Sequence, residues 1–301
     1  MTQKRVSKLI IPIAGWGTRF LPATKALPKE MLPIVDKPIL QYIVEEAVAS
    51  GITDIIFVTN QNKRAAEDHF DTNRELEQWL TQKKKTQELQ QLKKISSLAH
   101  FVYLRQRGPY GNGTPVLNAR HLIGEEPFAV VWGDDLFIGP TPHLKQLMKV
   151  YETYTDPVIT AYPTDSAGTK RYGIIEGIKI EPHVYQVRTV VEKPGPRTTR
   201  SRLASHGGYI LTPDIFPILA RTKPGRGGEI WLVDALMALA QRRPVYACLI
   251  EGAYYDLGST LGWVKANIDF ALQRKEFKQP LSRFLKSRMA ANVKPKSQNP
   301  K

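Results

Sequence analysis

The chain has 301 residues, enough for two average domains or one large α/β domain. It is 42% hydrophobic and 24% charged, as in ordinary globular proteins, and 43 Lys and Arg against 28 Asp and Glu give a formal net charge of +15. No apolar run reaches the ~18–20 residues needed to span a bilayer, the first eight residues are polar, and the single cysteine, Cys248, cannot form an intramolecular disulfide. These features exclude a membrane-spanning protein and a disulfide scaffold, and we expect a cytoplasmic protein.

Apolar runs and helix-type periodicities alternate along the chain. Short apolar runs predict buried strands at 6–14, 54–59, 101–105, 128–132 and 158–162. Apolar residues at helical spacing predict helices at 38–50, 115–122, 144–151, 229–242 and 258–272. Strands that alternate with helices indicate an α/β fold with a mostly parallel sheet.

Three segments depart from this alternation. The polar stretch 73–100 predicts one or two surface helices at the sheet edge, and 172–191 predicts short β runs separated by Gly and Pro. After 272 there are nine basic residues and one acid, so we expect a single domain over 1–275 and a basic, flexible tail over 276–301 whose last dozen residues are disordered. We interpret the tail as solubilising, with contact to a nucleic acid or an anionic surface as the alternative.

A glycine-rich turn follows the first predicted strand and reads Ala14-Gly15-Trp16-Gly17-Thr18-Arg19. It is not a dinucleotide fingerprint, because position 20 is Phe, and it lacks the Gly-Lys-Ser/Thr of a Walker A loop. Glycine still lets a backbone approach an anion, and turn N–H groups can form a nest around it. Since Arg19, Lys25 and Lys29 add three cations, we favour a triphosphate site over a simple turn with solvated cations, and expect the nucleotide to contact Ala14, Gly15 and Gly17.

Two acidic positions follow apolar stretches. Asp134 and Asp135 come directly after the predicted strand at 128–132, at the sheet edge where α/β folds bind ligands. Asp256 follows a second apolar stretch, where the alternative interpretation is an N-cap for the helix after it. Mg²⁺ prefers carboxylates and phosphate oxygens, so two protein carboxylates are sufficient for it.

The segment Gly15–Pro33, Gly-Trp-Gly-Thr-Arg-Phe-Leu-Pro-Ala-Thr-Lys-Ala-Leu-Pro-Lys-Glu-Met-Leu-Pro, resembles the signature of the sugar-1-phosphate nucleotidyltransferase family. The resemblance extends from about Lys8 to about Leu272. It implies a Rossmann-like, mostly parallel but mixed central sheet with helices on both faces, as in glycosyltransferase-A-like nucleotidyltransferases. It also implies a nucleotide-binding half over about 1–150 and a sugar-phosphate-binding half over about 151–275.

The resemblance assigns roles to individual residues. Arg19 and Lys29 are the implied catalytic residues, which clamp the nucleotide phosphates. The remaining implied site residues bind base, sugar phosphate or metal: Gln106 and Gly111 for the base, Gly173, Glu192 and Lys193 for the hexose and its phosphate, and Asp134 and Asp256 for Mg²⁺.

The implied reaction is transfer of a uridylyl group from UTP to glucose 1-phosphate. We also expect a homo-oligomer, either a dimer or a tetramer, with no membrane or nucleic-acid partner. The chain departs from the family pattern at Thr114-Pro115, Trp231 and Thr260. Two alternatives therefore stay open. One is a thymidylyltransferase or another sugar-1-phosphate nucleotidyltransferase, and the other is a non-catalytic nucleotide-binding homologue.

Overall fold

The computed structural model of the chain describes residues 4–293. Its strands are β1 (Lys8–Pro12), β2 (Pro33–Ile34), β3 (Lys37–Pro38), β4 (Asp54–Thr59), β5 (His100–Arg105), β6 (Phe128–Val130), β7 (Asp135–Ile138), β8 (Val158–Pro163), β9 (Gly173–Glu181), β10 (Val184–Glu192), β11 (Leu203–Leu211), β12 (Tyr246–Leu249) and β13 (Ala253–Asp256). Its helices are α1 (Ile39–Ser50), α2 (Arg64–Phe70), α3 (Arg74–Gln82), α4 (Thr86–Ser96), α5 (Gly113–Asn118), α6 (Arg120–Ile123), α7 (His143–Tyr154), α8 (Ile215–Leu219), α9 (Leu232–Ala240), α10 (Thr260–Gln273) and α11 (Lys275–Val293).

A nine-stranded mixed sheet forms the centre, in the order β5-β4-β1-β6-β11-β8-β12-β10-β9. The pairs β4–β5, β1–β4, β1–β6 and β8–β12 are parallel, whereas β11 runs antiparallel between β6 and β8. The predicted mixed α/β fold is confirmed. The parallel strands end at one edge, and the loops after β1, β5 and β6 meet there.

Each face of the sheet is covered by its own apolar core. Alternate residues of β1 point to opposite faces, so Leu9 and Ile11 join one buried cluster and Ile10 joins the other. Helices α1 and α7 pack on the first face, and α5, α8 and α9 on the second. The predicted helix 38–50 ends where expected, at Gly51, which has a φ of 101° that favours glycine.

The β9–β10 hairpin differs from the short β runs expected over 172–191. Both strands have nine residues, and β9 pairs with β11 as well as β10, so β8 to β12 close on themselves. The glycine that suggested an interruption, Gly177, lies within β9, where a side chain would come within 2.3 Å of the Gln186 carbonyl oxygen. Glycine marks a close backbone approach here and not a turn.

Two peripheral regions consist of helices. The polar stretch forms two exposed helices, α3 and α4, in the connection that leads to the outermost strand β5, as expected. The segment expected to be a flexible tail instead forms α11 as far as Val293, and its partly exposed Phe277, Leu281 and Phe284 recur at helical spacing and line an open apolar groove with residues of α10. Residues 294–301, to which the predicted disorder also applies, lie outside the described residues. In the described part of the chain, every helix is too short or too polar to cross a bilayer.

Candidate active site

The loop between β1 and β2, residues 13–32, carries the residues predicted to contact the nucleotide phosphates (the phosphate loop). It consists of short 3₁₀ turns separated by prolines, and the buried Phe20 anchors it to the core. Gly17 has a φ of 68°, and its carbonyl oxygen accepts a hydrogen bond from Thr24 Oγ1 at 2.7 Å. The Ala14 carbonyl oxygen accepts one from Asn60 Nδ2 at 2.6 Å. A side chain built on Gly15 would meet no atom within 4 Å, so the space beside this backbone is open.

The two cations of this loop point to the same region. Arg19 is exposed, and its Nη1 donates a hydrogen bond to the Gly258 carbonyl oxygen at 2.9 Å. Lys29 is half-buried, and its Nζ lies 2.5 Å from Asp134 Oδ2. Burial opposes the charge of Lys29, but attraction to Asp134 and Glu30 outweighs burial and raises the pKa of this lysine. Lys29 is therefore held as a cation.

The two predicted metal ligands lie beside Arg19. A Cβ atom on Gly258 would lie 2.5 Å from Asp134 Oδ2, 3.2 Å from Arg19 Nη1 and 3.3 Å from Asp256 Oδ1. The structure thus brings these three side chains, from three separate segments, around one glycine. Any side chain at position 258 would fill the space between them.

Asp256 is not an N-cap, so the alternative interpretation of this residue is wrong. The cap of α10 is Ser259, whose Oγ accepts a hydrogen bond from the Gly262 N–H at 3.2 Å. Asp256 instead ends β13, and its Oδ1 accepts a hydrogen bond from the Gly258 N–H at 3.1 Å. The carboxylate remains at the edge of the space occupied by Asp134 and Arg19.

The donor set suits a hard divalent cation that also binds phosphate. Among residues 4–293 no group of three or more His, Cys, Asp and Glu side chains has the arrangement of a metal site. The pair Asp134 and Asp256 supplies two hard oxygen donors, and the Gly258 backbone leaves space between them. Mg²⁺ completes such a set with phosphate oxygens and water.

Asp135 is buried beneath this pair. Its Oδ1 accepts a hydrogen bond from the Tyr254 hydroxyl at 2.7 Å, and its Oδ2 accepts one from the Gly207 N–H at 2.8 Å. Burial and the neighbouring Asp134 carboxylate raise the pKa of Asp135 well above its usual range. Strands β7 and β13 pair with Asp135 opposite Asp256, so this contact fixes the strand that carries the second candidate ligand.

The loop predicted to bind the base follows β5. The Gln106 side chain is half-buried and makes no hydrogen bond to any residue that the structure describes. A side chain on Gly111 would lie 2.2 Å from the Ile230 carbonyl oxygen. Ile230 pairs with this loop through the Gly113 N–H at 2.9 Å, which keeps its segment extended. The predicted helix 229–242 therefore begins only at Leu232.

An aromatic contact connects this loop to the phosphate loop. Trp16 Nε1 donates to the Tyr110 hydroxyl at 3.3 Å, although both side chains are exposed. This contact brings the two loops that carry the predicted nucleotide-binding residues next to each other. The buried Thr114, one of the family departures, has a hydroxyl without a hydrogen-bond partner among the described residues.

The predicted sugar-phosphate residues form a neighbouring group. Gly173 pairs with Glu192 in the β9–β10 hairpin, and a side chain on Gly173 would lie 3.2 Å from Glu192 Oε2. Lys193 has a φ of 47°, which is unusual for a residue with a side chain, and its Nζ lies 3.0 Å from Glu192 Oε1.

Tilted ring contacts connect this group to Asp135, beneath the candidate metal ligands. The Tyr172 ring lies 4.6 Å from the His206 ring, which lies 4.2 Å from Tyr254, the partner of Asp135. Side-chain contacts therefore run from Tyr172, beside Gly173, to Asp135, the residue after the candidate ligand Asp134.

Sequence reasoning did not find a buried ion pair behind the phosphate loop. Lys63 Nζ lies 2.7 Å from Glu30 Oε2, and the two residues are 3% and 1% exposed. Burial raises the pKa of Glu30, and attraction to Lys63 opposes this shift. Glu30 directly follows Lys29 in the sequence, but Lys63 is in a separate polar segment, so only the fold reveals the pairing.

The chain resembles known proteins over most of its length. The family model of nucleotidyl transferases matches residues 8–271. The UTP–glucose-1-phosphate uridylyltransferase YngB of Bacillus subtilis (strain 168) is 48% identical over 283 residues, which cover 94% of this chain and 95% of that protein.

Two solved structures share the fold. The crystal structure of a UDP-glucose pyrophosphorylase complexed with UDP-glucose is 41% identical, with a TM-score of 0.81, and the match covers 89% of this chain and 100% of that one. A UTP-bound UGPase from Acinetobacter baumannii is 32% identical, with a TM-score of 0.84, over 93% of this chain and 98% of that one.

Proposed function

The chain belongs to the nucleotidyl transferase family, and we propose that it transfers the uridylyl group of UTP to α-D-glucose 1-phosphate, giving UDP-glucose and pyrophosphate. Relatives with this activity in their names, and solved neighbours with UDP-glucose or UTP bound, support the choice of substrates. The observation that carries the proposal is the convergence of Arg19, Asp134 and Asp256 around Gly258.

The reaction needs no protein base. A phosphate oxygen of glucose 1-phosphate is already ionised at neutral pH and attacks the α-phosphorus of UTP in line. The new phosphorus–oxygen bond forms as the bond to the bridging oxygen of the β-phosphate breaks, and pyrophosphate leaves. The obstacle is repulsion between two polyanions, so positioning and electrostatic stabilisation supply the catalysis.

The phosphate loop is assigned to the nucleotide phosphates. We place the triphosphate along the backbone of Ala14, Gly15 and Gly17, where the space beside Gly15 is open. Arg19 uses one N–H on the Gly258 carbonyl and keeps the others for phosphate oxygens of the leaving group. A Cβ on Gly17 would lie 3.2 Å from Lys29 Cβ, and Lys29 Nζ contacts Asp134, so Lys29 can align the nucleotide while its charge stays compensated.

Asp134 and Asp256 are assigned to Mg²⁺. The bound ion would neutralise the phosphate oxygens and favour the in-line displacement. Asp135 and Tyr254 hold β7, which begins directly after Asp134, in register with β13, which ends at Asp256. Arg19, on the same side, adds positive charge near the acidic pair.

The base and the sugar phosphate occupy the two sides of the cleft in this proposal. Gln106 can donate and accept at once, so its amide fits a uracil edge, and we assign the Gly111 backbone to the base as well. Gly173 leaves room for the hexose, Glu192 accepts from sugar hydroxyls, and Lys193 neutralises the acceptor phosphate. These assignments correspond to a nucleotide-binding half over about 1–150 and a sugar-phosphate-binding half over about 151–275.

We also propose a cytoplasmic homo-oligomer, either a dimer or a tetramer. Exposed apolar side chains on α10 and α11, among them Leu261 and Phe284, support self-association. The proposed substrates are small anions, and we propose no nucleic-acid partner.

Pyrophosphate release by the purified chain tests the function. UTP and dTTP are each combined with glucose 1-phosphate and with other sugar 1-phosphates, with and without Mg²⁺. We expect the highest kcat/KM for UTP with glucose 1-phosphate and Mg²⁺, and its loss in Asp256→Asn. A higher kcat/KM for dTTP or for another sugar would identify a different nucleotidyltransferase, and nucleotide binding without release would identify a non-catalytic homologue.

A further inference from the structure

Helix α10 contacts the phosphate loop and the hairpin after it along one face. Thr260, Trp263, Asn267 and Arg274 follow one another at intervals of three, four and seven residues, so their side chains lie on the same side of the helix axis. Thr260 Oγ1 donates to the Arg19 carbonyl oxygen at 3.2 Å. Thr260 is a family departure, and its hydroxyl here contacts the backbone of the arginine assigned to the phosphates.

Trp263 contacts the phosphate loop at Phe20 and the strand that follows the loop at Pro33. Its ring meets the buried Phe20 edge-on at 6.4 Å, and its Nε1 donates to the Pro33 carbonyl oxygen at 3.0 Å. Phe20 follows Arg19, and Pro33 lies four residues after Lys29. The indole therefore connects the two backbone segments that flank the phosphate-binding cations.

Asn267 holds a turn with unfavourable backbone geometry. Val35 lies between β2 and β3 with a φ of 61°, a left-handed conformation that β-branched residues rarely adopt. Its N–H donates to Asn267 Oδ1 at 2.8 Å, and Asn267 Nδ2 donates to the Trp263 carbonyl oxygen at 3.0 Å. Beside this turn, Arg274 Nη1 donates to Asp36 Oδ2 at 2.6 Å. Asn267 of α10 and Arg274, directly after the helix, therefore hold the turn that contains the strained Val35.

We propose that Trp263 and Asn267 are positioning residues for nucleotide binding: α10 holds the backbone from Phe20 to Val35 so that Arg19 and Lys29 face Asp134 and Asp256. The inference rests on the proposed function. Since α10 begins four residues after Asp256, the same helix relates the loop that carries the cations to the strand that carries the acid. The two residues act through the loop and touch neither substrate.

The test compares Asn267→Leu with Asn73→Leu. Asn73 caps the distant helix α3 by accepting from the Leu76 N–H at 3.0 Å, so its loss removes a comparable hydrogen bond far from the loop. We expect Asn267→Leu to raise the KM for UTP roughly tenfold, as for one lost hydrogen bond to an ordered backbone. The KM for glucose 1-phosphate should stay within about twofold, because its assigned residues lie on other elements. Asn73→Leu should lower only the Tm.

Relief of the strain provides the second arm. Val35→Gly removes the cost of the left-handed φ, so the double variant Asn267→Leu with Val35→Gly should recover most of the lost UTP affinity. Trp263→Phe keeps the ring against Phe20 but loses the donor to Pro33, and should weaken UTP binding without the fold being lost. Hydrogen exchange of the amides of residues 33–38, without nucleotide, should be faster in Asn267→Leu and Trp263→Phe.

Particular outcomes overturn the proposal. If Asn267→Leu and Trp263→Phe lower the Tm while UTP affinity and loop exchange match the parent, the contacts are structural only. UTP affinity is measured by titration calorimetry as well as by KM. A parent protein that binds UTP without releasing pyrophosphate would refute the proposed function and still allow this inference to be tested.

Discussion

Lys29 Nζ lies 2.5 Å from Asp134 Oδ2, so a cation assigned to the phosphates is paired with an acid assigned to the metal. The pair joins residues 105 positions apart in the sequence. Each charge partly compensates the other before any substrate binds.

Loss of either partner should be costly, and loss of both should be less than additive. Lys29→Met leaves Asp134 without its cation, and Asp134→Asn leaves Lys29 without its acid. We expect each to lower turnover by at least about 10², and the unfolding free energies of the single and double variants to show a coupling of about 1 kcal/mol for this half-buried pair. Urea unfolding of the four proteins measures the coupling. Fully additive values would mean that the two side chains do not interact.

Arg19 should matter for turnover and not for stability. Its guanidinium is exposed, so Arg19→Ala should change the Tm little while kcat/KM falls by about 10²–10³. Lys25→Ala is the matched control, because Lys25 is an exposed cation of the same loop. Turnover of Arg19→Ala equal to that of the control would show that the loop assignment is wrong.

Substitution by alanine should lower the stability at Gly111 and weaken nucleotide binding at Gly15. Gly111→Ala places a Cβ within 2.2 Å of the Ile230 carbonyl oxygen, at a φ of 123°, so a fall in Tm is expected. Gly15→Ala meets no atom within 4 Å, so its Tm should match the parent while the KM for UTP rises. Calorimetric scans and UTP titration measure the two effects. An unchanged KM in Gly15→Ala would place the triphosphate elsewhere.

Glu46 should make stability depend on pH. Burial raises the pKa of Glu46 to about 7, against hydrogen bonds from Leu144 and Ser50. The unfolded chain ionises near its ordinary value of 4.5, so the free energy of unfolding falls as pH rises from about 4.5 to about 7 and stays lower above that range.

Glu46→Gln removes this dependence. The Tm of Glu46→Gln should match that of the parent below about pH 4.5 and exceed it most above about pH 7. The corresponding difference in the free energy of unfolding is at most about 3 kcal/mol. The exposed Glu75→Gln is the control and should give a flat difference. A flat difference for Glu46→Gln as well would contradict the raised pKa.

Local pattern was sufficient for β1, β4, β5, β6 and β8, but it did not predict β11 and β12, two further strands of the central sheet. Strand β4 has the predicted bounds because its apolar residues are buried on both faces, and α1 ends at a glycine that the sequence marks. The phosphate loop and the two acids could be located because both follow apolar strands. The interpretation of Asp256 as a cap failed because Ser259, three residues later, has the more suitable geometry.

Other features depend on contacts between distant segments. The late start of α9 depends on the backbone hydrogen bonds of Ile230 with Tyr110 and Gly113, far earlier in the chain. The contact between Asn267 and Val35 joins positions 232 residues apart. Composition and periodicity describe single segments, so they do not contain this information.

The buried pair of Glu30 and Lys63 limits how this chain can change by mutation. Replacing one member leaves an uncompensated charge in the interior, which typically costs about 3–5 kcal/mol, whereas replacing both with apolar residues of similar size can be neutral. The two positions should therefore vary together among descendants of this sequence. Because Glu30 adjoins Lys29, replacing Glu30 or Lys63 alone would also disturb Lys29, the lysine assigned to the phosphates. Evolution of this pair therefore proceeds through substitutions at both positions.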